Sequence, residues 1–511
     1  MNQAIHNIIV VGGGTAGWLT AGTIAAEHKN NEQIKVTLVE SPNVPIVGVG
    51  EGTWPTMRST LIKLGIREDE FIRHCDVGFK QGAKFAQWVK NDPNEYYYHP
   101  LVLPQGFAKI NLVSHWQQQV ETQSFSDSVC FQEAICEKGL APKMITNPQY
   151  GAVANYAYHL NAGKFSSFLQ RHCTVQLGVE HVLADVTEVV EDEFGDISKV
   201  VTEQAGAIAG DLFIDCTGFS GLLIKQHYNI DSVPCSDVLF VDRALAVQVP
   251  YEREDSPMAS HTISTGQEAG WIWDIGLQHR KGIGHVFSSR YMTEDAALQT
   301  LSRYVGQDVA NMDIKDIKFN SGYLKKFWHR NCVAVGLSAG FVEPLEASSL
   351  VLVELSAQMI AEQLPACRSV MDIIGKRFND TFEYRWHRII DFLKLHYVLS
   401  QREEPFWAAN RDSNSIPDSL QELLHLWRYH PPYDHDFTSN NEVFPAASYQ
   451  YVLYGMGFKT DFSFQHPQPD ATALAHQQFK QNQQNIEKAL GMLPKHRDLI
   501  NKIKTFGLQT V

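Results

Sequence analysis

A glycine-rich turn near the start of the chain has the residue types and spacing that bind the phosphates of a dinucleotide. Gly12, Gly14 and Gly17 follow an apolar run and precede a segment of helical character, which gives the pattern G-x-G-x-x-G between a strand and a helix. Such glycines allow a tight turn, a close approach of backbone to a pyrophosphate and close packing of helix on strand. The amides at the helix N-terminus, with Thr15 and Ala16, would supply the anion site.

A second apolar strand, predicted over residues 34–39, ends in Glu40. This carboxylate lies a little over 20 residues beyond the glycine turn, the spacing at which an acid binds the hydroxyls of a ribose. The order of strand, turn, helix, strand and acid therefore predicts a dinucleotide-binding βαβ unit, against the alternative of a glycine turn that binds nothing.

Three further segments are predicted to approach the same crevice. Residues 45–53 are glycine-rich and would lie close to a large flat group such as a cofactor ring, while the strands at 211–216 and 332–335 both run into glycine turns. The cofactor contacts predicted from these segments are Gly48, Gly50, Glu51, Asp215, Gly218, Gly336 and Leu337.

The elements that must position these residues follow from the pattern along the chain. Residues 55–75 read as helical, 78–88 as a strand, and 182–214 as a three-stranded β-meander. From about Ser349 onward the pattern turns helical. An α/β fold with a mainly helical C-terminal part is predicted.

Composition limits the classes of function. The chain has 511 residues and a formal net charge of -14 without a basic run, which disfavours nucleic acid and anionic membranes as partners. It shows no apolar stretch of membrane-spanning length, and its eight cysteines have no metal-ligand spacing. We expect a cytoplasmic protein with reduced cysteines, no metal and small-molecule substrates; the oligomeric state is open, a homodimer included.

Several motifs along nearly the whole chain together resemble the flavin-dependent tryptophan halogenases. They are Gly12 to Trp18, Gly48 to Glu51, Phe79-Lys80, Trp271 to Ile275, Glu343 to Glu346, Phe406 to Arg411 and Tyr451 to Gly457. The resemblance implies an FAD-binding Rossmann-like domain of the glutathione-reductase/hydroxylase type over 1–350, with inserted segments at about 75–150 and 235–325. A helical substrate module over 351–511 would pack on it.

The same resemblance implies a reaction and its reagents. Reduced FAD, O2 and chloride or bromide would yield hypohalous acid, which would reach a lysine and halogenate an electron-rich aromatic ring. Because only one dinucleotide fingerprint is present and it is assigned to FAD, a separate flavin reductase is expected to supply the reduced cofactor.

Lys80 matches the family's tunnel lysine and Glu346 its active-site glutamate. An ammonium or amine at Lys80 could hydrogen-bond hypohalous acid or form a haloamine, and a carboxylate at Glu346 could act as general base. Spacing alone does not choose Lys80 over Lys84. For the halide, the family uses backbone amides of a Thr-Gly pair, and this chain offers Ser348-Ser349 in their place.

The substrate-side residues depart further from the family. Trp271 and Trp273 keep the pattern W-x-W-x-I-P except that Gly276 replaces the proline. His99 and Phe444 lie near positions that flank an indole, so an aromatic sandwich is predicted. The segment before Tyr451 lacks the aromatic and acidic residues that hold an amino acid, so free tryptophan is not the expected substrate; indoles, phenols or a larger product remain open.

Three other readings compete with the halogenase. Residues 336–340 satisfy G-x-S-x-G, the nucleophile elbow of α/β-hydrolases, although Pro344 interrupts the helix that this motif requires. A flavin monooxygenase acting on an aromatic ring would share the FAD fold and deliver oxygen instead of halogen. A protein that binds FAD without catalysis is the third alternative.

Overall fold

A computed structural model describes residues 4–44, 51–119, 123–439, 441–464 and 469–509. By internal contacts the chain divides into two units. The first comprises Met1–Asp76, Leu160–Cys235 and Asn320–Trp386, and the second comprises Val77–His159, Ser236–Phe319 and His387–Val511.

The strands, in chain order, are β1 (Asn7–Val11), β2 (Lys35–Glu40), β3 (Glu51–Gly52), β4 (Gly78–Lys80), β5 (Gly82–Ala86), β6 (Tyr96–Pro100), β7 (Ala157–Leu160), β8 (Glu180–Leu183), β9 (Val186–Glu191), β10 (Ile197–Thr202), β11 (Gly206–Ala209), β12 (Leu212–Asp215), β13 (Ser232–Pro234), β14 (Arg243–Pro250), β15 (Thr262–Gln267), β16 (Gly270–Gly276), β17 (Arg280–Phe287), β18 (Lys315–Lys318), β19 (Gly322–Leu324), β20 (Trp328–His329), β21 (Cys332–Ala334) and β22 (Gly340–Phe341).

The α-helices are α1 (Thr15–Glu27), α2 (Thr56–Lys63), α3 (Glu68–His74), α4 (Val113–Gln118), α5 (Phe125–Val129), α6 (Gln132–Glu137), α7 (Ala162–Gln176), α8 (Glu294–Val305), α9 (Ser348–Glu362), α10 (Arg368–Val398), α11 (Pro405–Asn410), α12 (Asp418–Trp427), α13 (Ala446–Gly455), α14 (Pro469–Met492) and α15 (His496–Phe506). Within the described part of the chain, none of these helices is long and apolar enough to cross a membrane.

The first unit is built on a six-stranded sheet in the order β20-β21-β12-β1-β2-β8. Strand β1 pairs in parallel with both β12 and β2, and its residues Ile8 to Val11 are all buried. A continuous apolar run is what a strand buried on both faces requires. The β-meander predicted over 182–214 is confirmed as the separate sheet β11-β10-β9, which spans 186–209, while the two ends of the predicted range belong to β8 and β12 of the six-stranded sheet.

The boundary predicted at residue 350 differs from the observed division. Helix α9 and most of α10 belong to the first unit, because α9 packs along α1 and also contacts α2. The segments predicted as insertions, about 75–150 and 235–325, fall mainly in the second unit, which takes Val77–His159 and Ser236–Phe319.

A seven-stranded sheet in the order β18-β14-β17-β16-β15-β5-β6 forms the centre of the second unit. The strand predicted over 78–88 is broken into β4 and β5, since the Gln81 amide donates to the Ser260 carbonyl at 2.7 Å instead of continuing a ladder. The helix predicted over 55–75, in the first unit, is likewise two helices, α2 and α3, separated by a turn at Gly65 with a φ of 74°.

Candidate functional site

The glycine turn between β1 and α1 has the geometry of a phosphate cradle. A side chain at Gly17 would place its Cβ 1.8 Å from the Gly12 carbonyl oxygen, so the helix can start this close to the strand only with glycine. At Gly14, the N-cap of α1, a Cβ would meet no atom of the described residues within 4 Å. Open space thus faces the unpaired amides of the first helical turn, which include those of Thr15 and Ala16, and an anionic pyrophosphate fits there.

Glu40 lies beside this cradle at the end of β2. Its side chain covers Gly13, where an added Cβ would lie 2.1 Å from the Glu40 Cδ atom. Its Oε2 atom is 2.8 Å from His181 Nε2, yet this contact lacks hydrogen-bond geometry, and that oxygen makes no hydrogen bond to the described residues. A buried carboxylate oxygen with spare acceptor capacity suits a ribose hydroxyl.

Asp215, also predicted to bind the cofactor, is engaged by its own loop. One carboxylate oxygen accepts from the amide and hydroxyl of Thr217, at 3.0 and 2.6 Å. The other accepts from the amides of Leu223 and Ile224, at 2.8 and 2.9 Å. The side chain is fully buried. Its contacts therefore hold the turn at Gly218, which has a φ of 70°, and we assign it to positioning that turn.

The third glycine junction approaches helix α1 directly. Gly336 has a φ of 75°, and a Cβ there would lie 2.8 Å from the Cβ of Ala16. Leu337 and Ser338 follow in a 3-10 turn, and the Ser338 hydroxyl is buried and donates to the Asp215 and Val335 carbonyls. The next α-helix begins only at Ser348. A nucleophile elbow needs an exposed serine at a helix start, so the hydrolase reading is wrong.

Glu346 lies in an unusual backbone turn just before α9. Glu346 and Ala347 have φ values of 64° and 56°, the left-handed region that non-glycine residues seldom occupy. The indole of Trp54 donates to the Glu346 carbonyl at 2.8 Å, and the Glu346 side chain is buried. Strain of this kind persists only where surrounding contacts fix it, and it is concentrated at functional sites.

The N-terminus of α9 combines the two serines predicted to bind halide. The N-cap, Ala347, offers no side-chain acceptor to the first amides of the helix. Ser348 is buried, and its hydroxyl has no hydrogen-bond partner among the described residues. Ser349 follows in the same turn. The amides of a helix N-terminus, the helix dipole and a hydroxyl without a partner in the described part of the chain together favour a small anion.

Glu51 is the described end of the glycine-rich segment, since Gly48 and Gly50 lie outside the described residues. Its Oε2 atom is buried and makes no hydrogen bond to the rest of the described chain. Burial raises the pKa of Glu51 to about 7. A carboxyl in such a position takes up a proton near neutral pH and can donate a hydrogen bond as well as accept one.

In the second unit, Lys80 and Lys84 occupy very different surroundings. Lys84 Nζ lies 2.6 Å from Glu137 Oε1 and 4.0 Å from the centre of the Tyr96 ring, an ion pair of the kind common at protein surfaces. Lys80, on β4, is only 2% exposed. The pKa of His159 is held well below its usual value by burial and, next, by the charge of Lys80. Lys80 is therefore the more buried of the two side chains, and its catalytic role stays a prediction.

Trp271 and Trp273 lie two residues apart on the fully buried strand β16, with ring centroids 6.3 Å apart. Trp271 packs against Trp88, at 6.2 Å, while Trp273 lies over Gly284, where a Cβ would come within 2.1 Å of the indole. Both rings therefore have a packing role in this unit, and their contact with a substrate stays a prediction.

His99 and Phe444 are brought together, but not as two parallel walls. Their ring centroids are 6.5 Å apart and the planes are tilted by 47°. Phe444 stacks on Phe392 at 3.9 Å and 16°, and His99 Nε2 lies 2.9 Å from the Ser448 hydroxyl. Aromatic pairs favour offset-stacked or edge-to-face arrangements with ring centroids about 4.5–7 Å apart. Phe392 covers one face of Phe444, and the aromatic sandwich of Phe444 with His99 stays a prediction.

Comparison with known proteins agrees with the resemblance seen in the sequence. Residues 7–470 match the family model described as tryptophan halogenase. A crystal structure of a tryptophan halogenase from Shewanella frigidimarina NCIMB 400 superposes with a TM-score of 0.97 at 48% identity, covering 99% of each chain.

Two further similar proteins carry names that state the position on tryptophan that they halogenate. The tryptophan 6-halogenase ThaL of Streptomyces albogriseolus is 33% identical over 446 residues, which is 84% of this chain and 83% of that protein. Tar14, a tryptophan C-6 flavin-dependent halogenase (chlorinase) from taromycin biosynthesis, superposes with a TM-score of 0.91 at 30% identity, over 98% of this chain and 100% of its own. These matches confirm the predicted fold class, an FAD-binding Rossmann-like domain with a helical module, and the chain belongs to the tryptophan halogenase family of flavin-dependent halogenases.

Proposed function

We propose that the protein uses FADH2, O2 and chloride or bromide to make hypohalous acid, and that Lys80 delivers the halogen to an electron-rich, indole-like ring. The observation that carries this proposal is the contrast between the two candidate lysines. Lys80 is 2% exposed, whereas the Lys84 side chain is 19% exposed. A buried position keeps water away from the reacting groups. Transfer of a reactive halogen requires this, because water would otherwise compete with the substrate for the halogen.

The first unit would hold the cofactor and the halide. The amides that follow Gly14 would bind the pyrophosphate and Glu40 the ribose, while Ser348 and Ser349 would bind the halide at the N-terminus of α9. The cofactor, as FADH2, supplies two electrons, so that FADH2, O2, halide and one proton give FAD, water and hypohalous acid. A separate flavin reductase would regenerate FADH2.

At Lys80, the Nζ atom would either donate a hydrogen bond to hypohalous acid or form a haloamine with loss of water. The halogen then bonds to a ring carbon of the substrate while its bond to the oxygen of hypohalous acid, or to Nζ of the haloamine, breaks. The oxygen leaves as hydroxide, which takes up a proton to form water, or the nitrogen leaves as the Lys80 amine, and the proton displaced from the ring carbon goes to a base. We assign that role to the Glu346 carboxylate. Among the substrate-side residues, His99, Phe444, Trp271 and Trp273 remain proposals.

The deciding experiment measures product masses with FAD, a flavin reductase, NADH, O2, bromide and a panel of indoles, phenols and free tryptophan. Lys84→Ala is the matched control for Lys80→Ala, because it removes the same kind of side chain four residues further along the chain, on β5. Wild type and Lys84→Ala are expected to yield a brominated product, and Lys80→Ala none. A hydroxylated product from wild type would support the monooxygenase, and equal activity of the two variants would reject Lys80.

A further inference from the structure

Helix α15, at the far end of the sequence, contacts the strand that carries Lys80. The amide of Phe79, the residue before Lys80, donates to His496 Nε2 at 2.8 Å. On the other side of the ring, His496 Nδ1 lies 3.2 Å from the Met258 carbonyl. His496 is 1% exposed. The imidazole thus connects β4 with the chain just before β15.

The two partners determine the protonation state of this histidine. A backbone amide can only donate, so Nε2 must be unprotonated; a carbonyl can only accept, so Nδ1 must carry the proton. His496 is therefore the neutral Nδ1–H tautomer, and burial, as the main cause, lowers its pKa to about 4. The ring accepts the Phe79 hydrogen bond throughout the neutral range.

Gln81, the residue after Lys80, is also held by hydrogen bonds to distant parts of the chain. The Gln81 amide donates to the Ser260 carbonyl at 2.7 Å, and its side-chain amide donates to the Leu140 carbonyl at 2.8 Å and the Ser260 hydroxyl at 3.0 Å. Gln81 is fully buried. The backbone of Lys80 is consequently fixed on both sides by residues that are distant in sequence.

Two glycines make the close approach of these elements possible. A Cβ at Gly78 would lie 3.2 Å from the Gly276 carbonyl oxygen and 3.3 Å from His496 Cε1. Gly276 is the position at which the family pattern has proline, and a Cβ there would lie 3.0 Å from Met258 Cγ and 3.1 Å from the Tyr251 hydroxyl. The departure from W-x-W-x-I-P therefore lies beside Gly78 of β4, which also contacts the His496 ring.

From these contacts we infer that His496, together with Gln81, is a positioning residue that fixes the Lys80 side chain for halogen transfer. The inference rests on the proposed function of Lys80. A displacement of the Lys80 backbone carries the side chain with it, and because this side chain is buried its four-carbon stem has little room to return Nζ to its place. Misplacing a reactive group by about 1 Å can cost about 100-fold in rate.

The test compares His496→Leu, which removes the acceptor, with His496→Gln, whose Oε1 can accept the Phe79 hydrogen bond. The control His285→Leu removes another buried histidine of the same unit, which bonds the Ala297 carbonyl at 3.1 Å. The quantity measured is the ratio of brominated product to FADH2 oxidised. In a separate assay, bromination of monochlorodimedone measures the free hypobromous acid that is released.

We expect His496→Leu to lower this ratio by about 10- to 100-fold while FADH2 oxidation and free hypobromous acid persist. His496→Gln should recover most of the ratio, and His285→Leu should keep it. A ratio in His496→Leu equal to that of wild type, or a His496→Gln variant as poor as His496→Leu, overturns the inference. If His496→Leu does not fold, Gln81→Met is measured instead, and an unchanged ratio there overturns it equally.

Amide hydrogen exchange over residues 77–81 separates failure of this inference from failure of the proposed function. Faster exchange of the Phe79 amide in His496→Leu, with exchange elsewhere unchanged, supports the anchoring even if wild type makes no brominated product. Unchanged exchange at Phe79 rejects the anchoring even if wild type is an active halogenase.

Discussion

Replacing Asp215 with asparagine tests the claim that this carboxylate holds the cofactor-side turn. In wild type its two oxygens accept four hydrogen bonds, and two of the donors are the amides of Leu223 and Ile224, both residues fully buried. An asparagine side chain has only one acceptor oxygen. Whichever way the amide is turned, one pair of donors faces an NH2 group and loses its acceptor.

The number of hydrogen bonds lost gives the expected change in the free energy of unfolding. A hydrogen bond to a charged acceptor contributes about 1.5–3 kcal/mol, and a buried donor left without an acceptor carries its full desolvation cost. Losing two such bonds should lower the free energy of unfolding by about 3–6 kcal/mol. Because Thr217 and the Gly218 turn depend on the same carboxylate, FAD affinity should fall as well.

Asp211→Asn is the matched control, since Asp211 lies just before the same strand and accepts from the amides of His6 and Asn7 at 2.9 and 2.8 Å at a partly exposed position. Water can replace these bonds, so a change below about 1 kcal/mol is expected. Urea unfolding followed by FAD titration measures both quantities. If Asp215→Asn is no more destabilising than Asp211→Asn, the assignment of Asp215 to the turn is refuted.

Four other substitutions have distinct expected outcomes. Gly17→Ala should abolish FAD binding and destabilise the fold, because its Cβ would lie 1.8 Å from the Gly12 carbonyl oxygen. Gly14→Ala, whose Cβ would meet no described atom within 4 Å, should fold normally and lose only FAD affinity. Fluorescence titration measures the FAD affinity of both variants. Ser348→Ala removes a buried hydroxyl without a partner among the described residues, so the KM for bromide should rise several-fold without loss of thermal stability; an unchanged KM would contradict the halide site. Burial, as the main cause, raises the pKa of Glu354 to about 8. The folded protein therefore retains a proton that the unfolded chain releases near pH 4.5. Between those two pH values the free energy of unfolding should fall by up to about 1.4 kcal/mol per pH unit. Glu354→Gln should lose this slope in urea unfolding measured at pH 5, 6.5 and 8.

Local sequence was enough to predict the phosphate cradle, the glycine turn between β1 and α1. The apolar run of β1, the glycine turn, α1 and Glu40 follow one another within 40 residues, so their spacing alone predicts how they meet. Strand, turn and helix geometry fixes such short-range arrangements with little help from the rest of the chain. The β-meander was predictable for the same reason, since its three strands are consecutive and joined by short turns.

Only the tertiary structure shows how residues of the same type differ in their surroundings. Lys80 and Lys84 are four residues apart, and nothing local distinguishes them, but Lys80 on β4 is buried, whereas Lys84 on β5 is partly exposed and pairs with Glu137 of α6. The sequence also singled out Asp215 as a cofactor contact and the motif that contains Ser338 as a nucleophile elbow. In the fold the Asp215 carboxylate bonds the turn that follows β12, and its contact with the cofactor stays a prediction, whereas the buried Ser338 hydroxyl bonds carbonyls at the ends of β12 and β21.

The anchoring of Phe79 by His496 had no signal in the sequence, because 417 residues separate the two partners. Residue type and spacing encode contacts within a strand, a turn or a helix, which obey fixed periodicities. A hydrogen bond between distant segments depends instead on how every intervening element packs, and no local period records it. The sequence by itself therefore determined the family, the cofactor cradle and the list of candidate residues, whereas the packed fold determined which of those side chains are buried, which are already bonded, and which are held in place.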